Sequence, residues 1–311
     1  RQWARNGVNG AHRHYSWHSH VQKYMRALHK AWGKRHRHRR LRAKSRLPTV
    51  DRIVVCELDN TLLGDPDALH RLLASLKAAD GHVGLGVATG RSLDSALKLL
   101  RDWKVPTPDL LVTSVGAEIH YGHRMVRDQA WAGHIAYRWD RNALHEALRV
   151  MPGLKLQPKA EQHAFKISYF MDEKKAPRVR DIIRHLRLKD LHATVIQSRG
   201  MFLDVLPSRA SKGLALRHLG MRWGLTPERF LVAGYSGNDE AVLRGNTLGV
   251  VVGNYSSELG RLRGRPRIYF AQAEYAWGIM EGVDYYDFFG AIRIPEEEGL
   301  EHDGDVAGIS A

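Results

Sequence analysis

The sequence of 311 residues has few of the features that define several common protein classes. Its single cysteine, Cys56, excludes a disulfide framework and a cysteine-rich zinc site. No apolar run approaches the ~20 residues that a membrane-spanning helix needs, so this is not expected to be a membrane protein. The chain starts at Arg1 without an apolar signal core after it, which argues against a secretory peptide. We therefore expect a cytoplasmic protein that is a fragment of a longer chain or a processed form.

Acidic residues are missing from residues 1–50, which hold 14 of the 48 lysines and arginines and none of the 33 aspartates and glutamates. The remaining residues are nearly neutral, with 34 basic and 33 acidic side chains. The run from Lys34 to Arg46 carries eight positive charges and almost nothing apolar. Because like charges repel, the first interpretation of residues 34–50 is a solvated linker. Binding to an anionic surface or nucleic acid is the alternative, although no interleaved aromatic residue supports nucleic acid as a partner.

The two ends of the chain have different patterns from its body. Residues 1–33 carry a helical apolar stripe, which predicts an amphipathic helix that needs a surface to pack against. The stripe consists of Val21, Tyr24, Met25, Leu28 and Trp32. Residues 291–311 are rich in Glu, Asp and Gly and are expected to be a disordered acidic tail.

Between these ends, short apolar runs alternate with helical patterns, which predicts a parallel sheet with helices on both faces. Residues 122–205 have a different rhythm and include a strand pair joined at Ser198-Arg199-Gly200. They are expected to form an α/β unit inserted between the two halves of the sheet domain, residues 51–121 and 206–290. Strands are predicted over Ile53–Glu57, His82–Ala88, Leu110–Thr113, Phe230–Ala233 and Leu248–Val252.

Four polar clusters follow predicted strands or begin predicted helices, at the sheet edge where ligands bind in such folds. Glu57 and Asp59 come after the first strand, and carboxylates two residues apart there can converge on one ligand. Each cluster alone is weak evidence, but all four in this order are much more specific. The other three are Thr89-Gly90-Arg91-Ser92, Lys212 at a helix start, and Gly234-Tyr235-Ser236-Gly237-Asn238-Asp239.

This set of clusters resembles the haloacid dehalogenase superfamily of phosphohydrolases over residues 51–290. The resemblance implies an α/β, Rossmann-like core with a parallel sheet and an inserted α/β cap of the larger, C2 type. It places the nucleophile at Glu57 and a proton donor at Asp59, while Thr89 and Lys212 neutralise the phosphoryl oxygens. It implies Mg²⁺ held around Glu57, Asp59, Tyr235 and Asp239. The expected substrate contacts are Thr61, Gly90, Arg91, Asn238, Glu161 and Lys166.

A narrower resemblance is to sucrose-phosphate phosphatases and to the phosphatase-like carboxyl-terminal part of sucrose-phosphate synthases. It rests on Thr113–Tyr121, on Phe165-Lys166-Ile167-Ser168-Tyr169, and on Tyr275-Ala276-Trp277-Gly278. Residues 6–24 look like the closing helix of the synthase's glycosyltransferase part, so residues 1–33 are expected to be the helical tail of an upstream glycosyltransferase domain. Sucrose 6-phosphate is the implied ligand, and a separate sucrose-phosphate phosphatase is a candidate partner.

Two positions depart from the pattern of active family members. Glu57 stands where the nucleophile is an aspartate, and its extra methylene moves the carboxylate by about 1 Å, which can cost on the order of 100-fold in rate. Tyr235 stands where an aspartate binds the metal, and a phenol with an ordinary pKa near ~10 is a poor Mg²⁺ ligand. Two such changes in one site point to weak or absent metal binding and to lost hydrolysis.

Three interpretations follow. The first is a non-hydrolytic regulatory or substrate-sensing domain of a sucrose-phosphate synthase, which transfers glucose from a nucleotide sugar to fructose 6-phosphate. The second is a working Mg²⁺-dependent sucrose-6-phosphate phosphatase that tolerates Glu57 and Tyr235. The third is an anionic-surface or nucleic-acid binder that uses the basic run.

Overall fold

The computed structural model describes residues 6, 17, 21, 23–28, 50–79 and 81–295. The expected basic linker and most of the expected acidic tail lie outside these residues. Residues 23–28 are helical, within the segment for which the sequence predicts an amphipathic helix, and their side chains are exposed. Among the described residues, no helix is both long and apolar enough to cross a membrane.

Strands and helices alternate along the described chain. The strands are β1 (Arg52–Cys56), β2 (Val83–Ala88), β3 (Leu110–Thr113), β4 (Glu118–Tyr121), β5 (Val126–Arg127), β6 (Leu154–Leu156), β7 (Ile167–Met171), β8 (Ala193–Ser198), β9 (Phe202–Pro207), β10 (Phe230–Gly234), β11 (Leu248–Val251) and β12 (Ile268–Phe270). The helices are α1 (Pro66–Ala78), α2 (Leu93–Asp102), α3 (Gln129–Ile135), α4 (Arg141–Leu148), α5 (Val179–Leu188), α6 (Lys212–Trp223), α7 (Glu240–Leu243) and α8 (Tyr275–Tyr285).

The main sheet has the strand order β12-β11-β10-β1-β2-β3-β4-β5. Strands β12 to β3 in that order are parallel, β4 pairs antiparallel with β3, and β5 pairs antiparallel with β4, so only β4 runs opposite to the other strands. The central strand β1 places Val55 beside Val232 of β10 on one side and Gly86 of β2 on the other. Because both faces of a parallel sheet are covered, its strands are nearly continuous apolar runs, and every residue of β2 is buried.

Successive side chains of a strand point to opposite faces of the sheet. In β1 the side chains on both faces are apolar, and helices cover both faces. Val54 and Cys56 pack in one cluster with α1, α2 and α8. Ile53 and Val55 pack in the other with α3 and α6, around the fully buried Trp131. Cys56 is therefore a core residue, and burial raises the pKa of its thiol far above the ordinary value. The sheet domain is thus a three-layer α/β sandwich.

A second, antiparallel sheet with the order β6-β7-β9-β8 forms the cap. Helices α4 and α5 pack on one face of it, and Leu144, Ile182 and Tyr169 lie in a separate hydrophobic cluster. Since this cluster shares no residue with the two clusters of the main sheet, the cap has its own core.

The expected cap of residues 122–205 begins too early by more than ten residues and ends two residues too soon. Strand β5 still pairs with β4 in the main sheet, and Trp131 of α3 packs against that sheet. At the other end, Pro207 still pairs with Ala193 inside the cap sheet. The chain therefore leaves the core after α3 and returns to it after Pro207, because the β4–β5 hairpin extends the edge of the main sheet.

Candidate functional site

The four polar clusters predicted from the sequence meet at the carboxyl edge of the main sheet. Glu57 follows β1, Thr89 follows β2, Tyr235 follows β10 and Lys212 begins α6. Strands β10, β1 and β2 are neighbours, so the loops after them lie side by side. Ser211 caps α6 by accepting from the Leu214 N–H at 3.1 Å, which fixes where the lysine enters the site.

A buried ion cluster forms the floor of this site. The Lys212 ammonium lies 2.6 Å from Asp239 Oδ1 and 3.1 Å from Asn238 Oδ1, and it also donates to Glu57 Oε2. Lys212 and Asp239 are 1% exposed and Glu57 is 4% exposed. One ammonium therefore serves two carboxylates that are almost completely shielded from solvent.

This charge balance shifts the pKa values of the cluster. Burial raises the pKa of Glu57, and the charge of Asp239 raises it further, while the ammonium of Lys212 opposes the shift. Burial alone would lower the pKa of Lys212, but the charges of Asp239 and Glu57 outweigh it and raise the pKa. Lys212 is thus held as a cation, and the two carboxylates compete for it.

The backbone after β1 holds Glu57 in this position. Its N–H donates to the Ala233 carbonyl at 2.9 Å, and its Oε1 accepts from the Leu58 N–H at 2.9 Å. The chain then turns at Asn60, which has φ 52° and ψ 17°, a left-handed conformation that asparagine tolerates better than most residues. The turn places Thr61 in the interior, where its hydroxyl has no hydrogen-bond partner among the described residues.

Asp59 lies apart from the buried cluster. Arg91 binds it with two hydrogen bonds, Nε to Oδ2 at 2.7 Å and Nη2 to Oδ1 at 2.8 Å. About a third of each side chain is exposed, 34% for Asp59 and 38% for Arg91. The hydrogen bonds with Asp59 raise the pKa of Arg91, and the charge of Glu161 in the cap adds to the effect. The sequence predicts both residues at the site but not this pairing between them.

The loop after β2 offers hydrogen-bond donors. Thr89 is fully buried, and its hydroxyl accepts from the Arg91 N–H at 3.3 Å. Ser92 caps α2 by accepting from the Ser95 N–H at 3.4 Å. A helix N-terminus of this kind favours an anion, because its first N–H groups point outward and its dipole is positive there.

The cap closes over this loop from above. The buried Lys166 donates to the Gly90 carbonyl at 3.2 Å, and Asp204 lies 4.0 Å from the same ammonium. Glu161 is exposed on the cap and makes no hydrogen bond through its carboxylate among the described residues. Arg199, at the tip of the β8–β9 hairpin, donates to the Tyr235 hydroxyl. The sequence indicates Lys166 and Glu161 at the site but misses Arg199, whose only sequence signal is its place in the predicted hairpin joint.

The residues at the expected Mg²⁺ site do not fit that ion. Asp239 accepts from Lys212 through Oδ1 and from the Tyr235 and Ser236 N–H groups through Oδ2, at 3.0 and 3.1 Å. The Glu57 carboxylate accepts hydrogen bonds from Lys212 and from the Leu58 N–H. Tyr235, a phenol, occupies the position at which the resemblance expects a further carboxylate. In the described part of the chain, no group of three or more His, Cys, Asp or Glu side chains is placed to hold a metal ion. Mg²⁺ requires oxygens in near-octahedral geometry, and here the candidate oxygens already accept hydrogen bonds.

Comparison with known proteins identifies the family. Residues 50–287 match the family model described as sucrose-6F-phosphate phosphohydrolase. The chain belongs to this family. The sucrose-phosphatase structure from Synechocystis sp. PCC6803, in complex with sucrose and phosphate, is 34% identical, has a TM-score of 0.73, and matches 76% of this chain and 98% of that one. The α/β fold of the haloacid dehalogenase superfamily, implied by the resemblance, is thereby confirmed.

The curated relatives of this chain differ in length. A probable sucrose-phosphatase 2 of Arabidopsis thaliana is 32% identical over 75% of this chain, and the match covers 59% of that protein's length. A mannosylfructose-phosphate phosphatase of Agrobacterium fabrum is 30% identical over 76% of this chain and 96% of its own length. A glucosylglycerol-phosphate synthase of Pseudomonas anguilliseptica is 28% identical over 79% of this chain but only 32% of its own length. The matched region thus occurs in short phosphatases and inside longer proteins.

Proposed function

We propose that the chain binds a phosphorylated, fructose-containing disaccharide such as sucrose 6-phosphate in the cleft between cap and core. The observation that carries this proposal is the convergence of Thr89, Lys212 and Asn238 under a cap lysine, Lys166, that reaches the Gly90 carbonyl. Relatives named for sucrose phosphate and mannosylfructose phosphate, and the structure titled with sucrose and phosphate, support this substrate class.

The phosphate group is proposed to lie between the Thr89 hydroxyl, the N–H groups at the start of α2 and the Lys212 ammonium. A hydroxyl and backbone N–H groups donate to phosphate oxygens, and the ammonium balances their charge. The unpartnered hydroxyl of Thr61 is a further donor at the same edge. Glu161 and Lys166 are on the cap side, where the sugar hydroxyl groups are expected.

Hydrolysis is the first form that this function can take, and the names of the relatives favour it over a non-hydrolytic domain. In this form, a Glu57 oxygen bonds to phosphorus as the bond to the sugar oxygen breaks, and Asp59 gives its proton to that oxygen. Asp59 then takes a proton from water, which attacks the acyl phosphate and releases phosphate and Glu57. For this, Asp59 must leave Arg91 and Glu57 must leave Lys212.

Binding without turnover is the second form, and a specific observation favours it. The Glu57 carboxylate is already bonded to Lys212, and Tyr235 occupies the position at which the resemblance expects a carboxylate. An oxygen that accepts from a buried ammonium is a weak nucleophile until that bond is broken. We therefore propose that the chain retains the sugar phosphate with little hydrolysis.

A phosphate-release assay separates the two forms. Purified chain is incubated with sucrose 6-phosphate, with Mg²⁺ and in EDTA, while binding is followed separately by calorimetry. We expect binding with little phosphate release in either buffer. Release at the rate of an ordinary sugar phosphatase would establish the first form, and absence of binding would refute the proposed function itself.

We also propose that this domain belongs to a sucrose-phosphate synthase, as a regulatory or substrate-sensing part. One support is the resemblance of residues 6–24 to a glycosyltransferase tail. Another is the glucosylglycerol-phosphate synthase of Pseudomonas anguilliseptica, in which the matched region makes up about a third of the protein. The coding sequence upstream of residue 1 tests this, since two nucleotide-sugar-binding domains are expected there. The cytoplasmic location, a separate phosphatase partner and binding through the basic run stay predictions.

A further inference from the structure

The tip of the β8–β9 hairpin is pressed against the core beside the buried ion cluster. Arg199 and Gly200 have φ values of 52° and 65°, which turn the chain tightly and aim the hairpin at the core. The Gln197 carbonyl lies 3.1 Å from where a Cβ on Gly237 would be, so the hairpin backbone is in close contact with the loop after β10. The hairpin therefore sits within one residue of Asn238, which contacts Lys212.

The Arg199 side chain is held by Tyr235. Its guanidinium donates to the Tyr235 hydroxyl and lies 5.2 Å from the centre of the Tyr235 ring. The backbone N–H of Tyr235 donates to Asp239 Oδ2 at 3.0 Å, so this tyrosine links the arginine to the ion cluster. The cap thus presents a cation next to the place where the family resemblance expects a metal ligand.

Arg199 also has unused binding capacity. Among residues 50–79 and 81–295, the Arg199 guanidinium forms no ion pair, and the side chain is exposed. Arg91, by contrast, donates two hydrogen bonds to Asp59 and a third to the Ser95 hydroxyl. A guanidinium has five N–H donors in a planar fork that matches phosphate oxygens, and Tyr235 uses one side of it. The remaining donors have no anionic partner among the described residues.

We propose that Arg199 is a phosphate-binding residue supplied by the cap and that Tyr235 is the residue that positions it. The guanidinium provides, from the cap, positive charge at a site whose core residues do not fit Mg²⁺. This inference rests on the proposed binding of a sugar phosphate and adds to it a residue and a metal-independent mode of binding. Because the cation belongs to the cap, phosphate binding and cap closure become coupled.

The test measures binding rather than turnover. The full chain is titrated calorimetrically with sucrose 6-phosphate and with inorganic phosphate, both in EDTA. We expect wild type to bind without added metal and Arg199→Gln to bind about 10-fold or more weakly, the effect of losing a charged hydrogen bond. Arg199→Lys, which keeps the charge but loses the fork, should fall between them. Arg180→Gln, at an exposed cap arginine paired only with Asp181, is the control and should bind as wild type does.

The outcomes separate this inference from the proposed function. If wild type binds and Arg199→Gln binds equally well, the inference is wrong while sugar-phosphate binding stands. If wild type binds only when Mg²⁺ is added, the inference is also wrong. If wild type binds neither ligand under any condition, the proposed function fails and the inference fails with it.

The positioning role of Tyr235 has its own readout. Tyr235→Phe keeps the ring but removes the hydroxyl that Arg199 binds, so it should weaken phosphate binding about 3-fold to 10-fold in the wild-type background. In the Arg199→Gln background it should change nothing further, because the partner is gone. Equal effects in both backgrounds would show that Tyr235 acts without Arg199 and would overturn this part of the inference.

Discussion

Glu57 and Asp59 are two residues apart, yet they belong to different physical environments. Glu57 is buried against Lys212 and Asp239, whereas Asp59 is one-third exposed and paired with Arg91. Strand β1 ends at Cys56, before both residues, so strand geometry does not hold their side chains in one direction. The difference teaches that spacing beyond a strand end does not place two carboxylates on one ligand, because each side chain lies where its own cation is, Lys212 for Glu57 and Arg91 for Asp59.

The two environments also differ in what they contribute to stability. Removing one partner from a buried charge cluster leaves an uncompensated charge and costs about 3–5 kcal/mol. A pair that is one-third exposed contributes only about 0–1 kcal/mol, because water and salt screen it. The buried half of the site is therefore part of the folded framework, while the exposed half is free to exchange partners when a ligand arrives.

The largest expected effect is that of Lys212→Met. It should lower the free energy of unfolding by about 3–5 kcal/mol, because Glu57 and Asp239 lose their only cation among the described residues. Urea titration followed by tryptophan fluorescence measures this. Adding Glu57→Gln to the same variant should restore part of the loss, since it removes one of the unpaired charges. A cost below about 1 kcal/mol for Lys212→Met would show that the two halves of the site do not differ as described.

The second-largest expected effect concerns whether substitutions at Glu57 and Tyr235 give the site hydrolytic activity. Glu57→Asp with Tyr235→Asp should raise phosphate release from sucrose 6-phosphate with Mg²⁺ about 100-fold over wild type, because both changes serve one phosphoryl-transfer step. Either substitution alone should raise it much less. Adding Asp59→Asn should abolish the gain by removing the proton donor. A wild-type rate that already equals that of the double variant would show that Glu57 and Tyr235 are not disabling.

A third carboxylate, Asp128, sharpens the comparison because it is buried like Glu57 but has its own nearby cationic side chains, Arg222 at 3.1 Å and His218 at 3.8 Å. Burial alone would raise its pKa, but the neighbouring His218, the hydrogen bond from the Trp131 N–H and the charge of Arg222 lower it below the ordinary value of 3.8. A lowered pKa in the folded state contributes stability above the unfolded value, and this contribution is lost as the pH falls through the folded value.

Asp128→Asn should therefore lower the free energy of unfolding by about 1–2 kcal/mol at pH 7, the contribution of hydrogen bonds to a charged group. The difference from wild type should shrink as the pH falls below the ordinary value of 3.8 and through the lowered folded pKa of Asp128, because the wild-type carboxylate then also becomes neutral. Denaturant titrations of both proteins across this range measure it. A difference that is independent of pH would mean that the charge of Asp128 has no role.

The smallest expected effect belongs to the exposed half. Asp59→Asn should change the free energy of unfolding by less than about 1 kcal/mol, because its pair with Arg91 is partly exposed. Arg91→Gln is the matched control and should cost about the same. Thermal melts of the two single variants and the double variant measure this, and a loss comparable with that of Lys212→Met would contradict the comparison.

Much of the core could be predicted from the sequence, because parallel strands buried on both faces are continuous apolar runs. The predicted strand Leu110–Thr113 has the bounds that the structure has, and α6 begins at Lys212 as predicted. Strand β4 was harder to predict, since it carries Glu118 and His120 and lies at the antiparallel edge of the sheet. Strand β6, with three residues, is too short to show a period.

The sequence predicts which residues form the candidate site but not which side chains they bond to. Residue types at strand ends indicate Glu57, Asp59, Thr89 and Lys212, because parallel strands end at one edge. The pairing of Asp59 with Arg91 depends on side-chain directions beyond the end of β1, which no spacing encodes. Arg199 was missed for a related reason: its contact with Tyr235 depends on how the cap sits on the core, and nothing local in the sequence records that.

The position of β1 at the centre of the main sheet has a consequence for how the chain folds during synthesis. Val55 pairs with Gly86 soon after β1 is made, but its other neighbour, Val232, follows about 180 residues later. Until β10 emerges, one edge of the central strand has no partner and is open to other strands, a hazard for aggregation. The cap is synthesised in this interval and has its own hydrophobic core, so it can fold before the main sheet is complete.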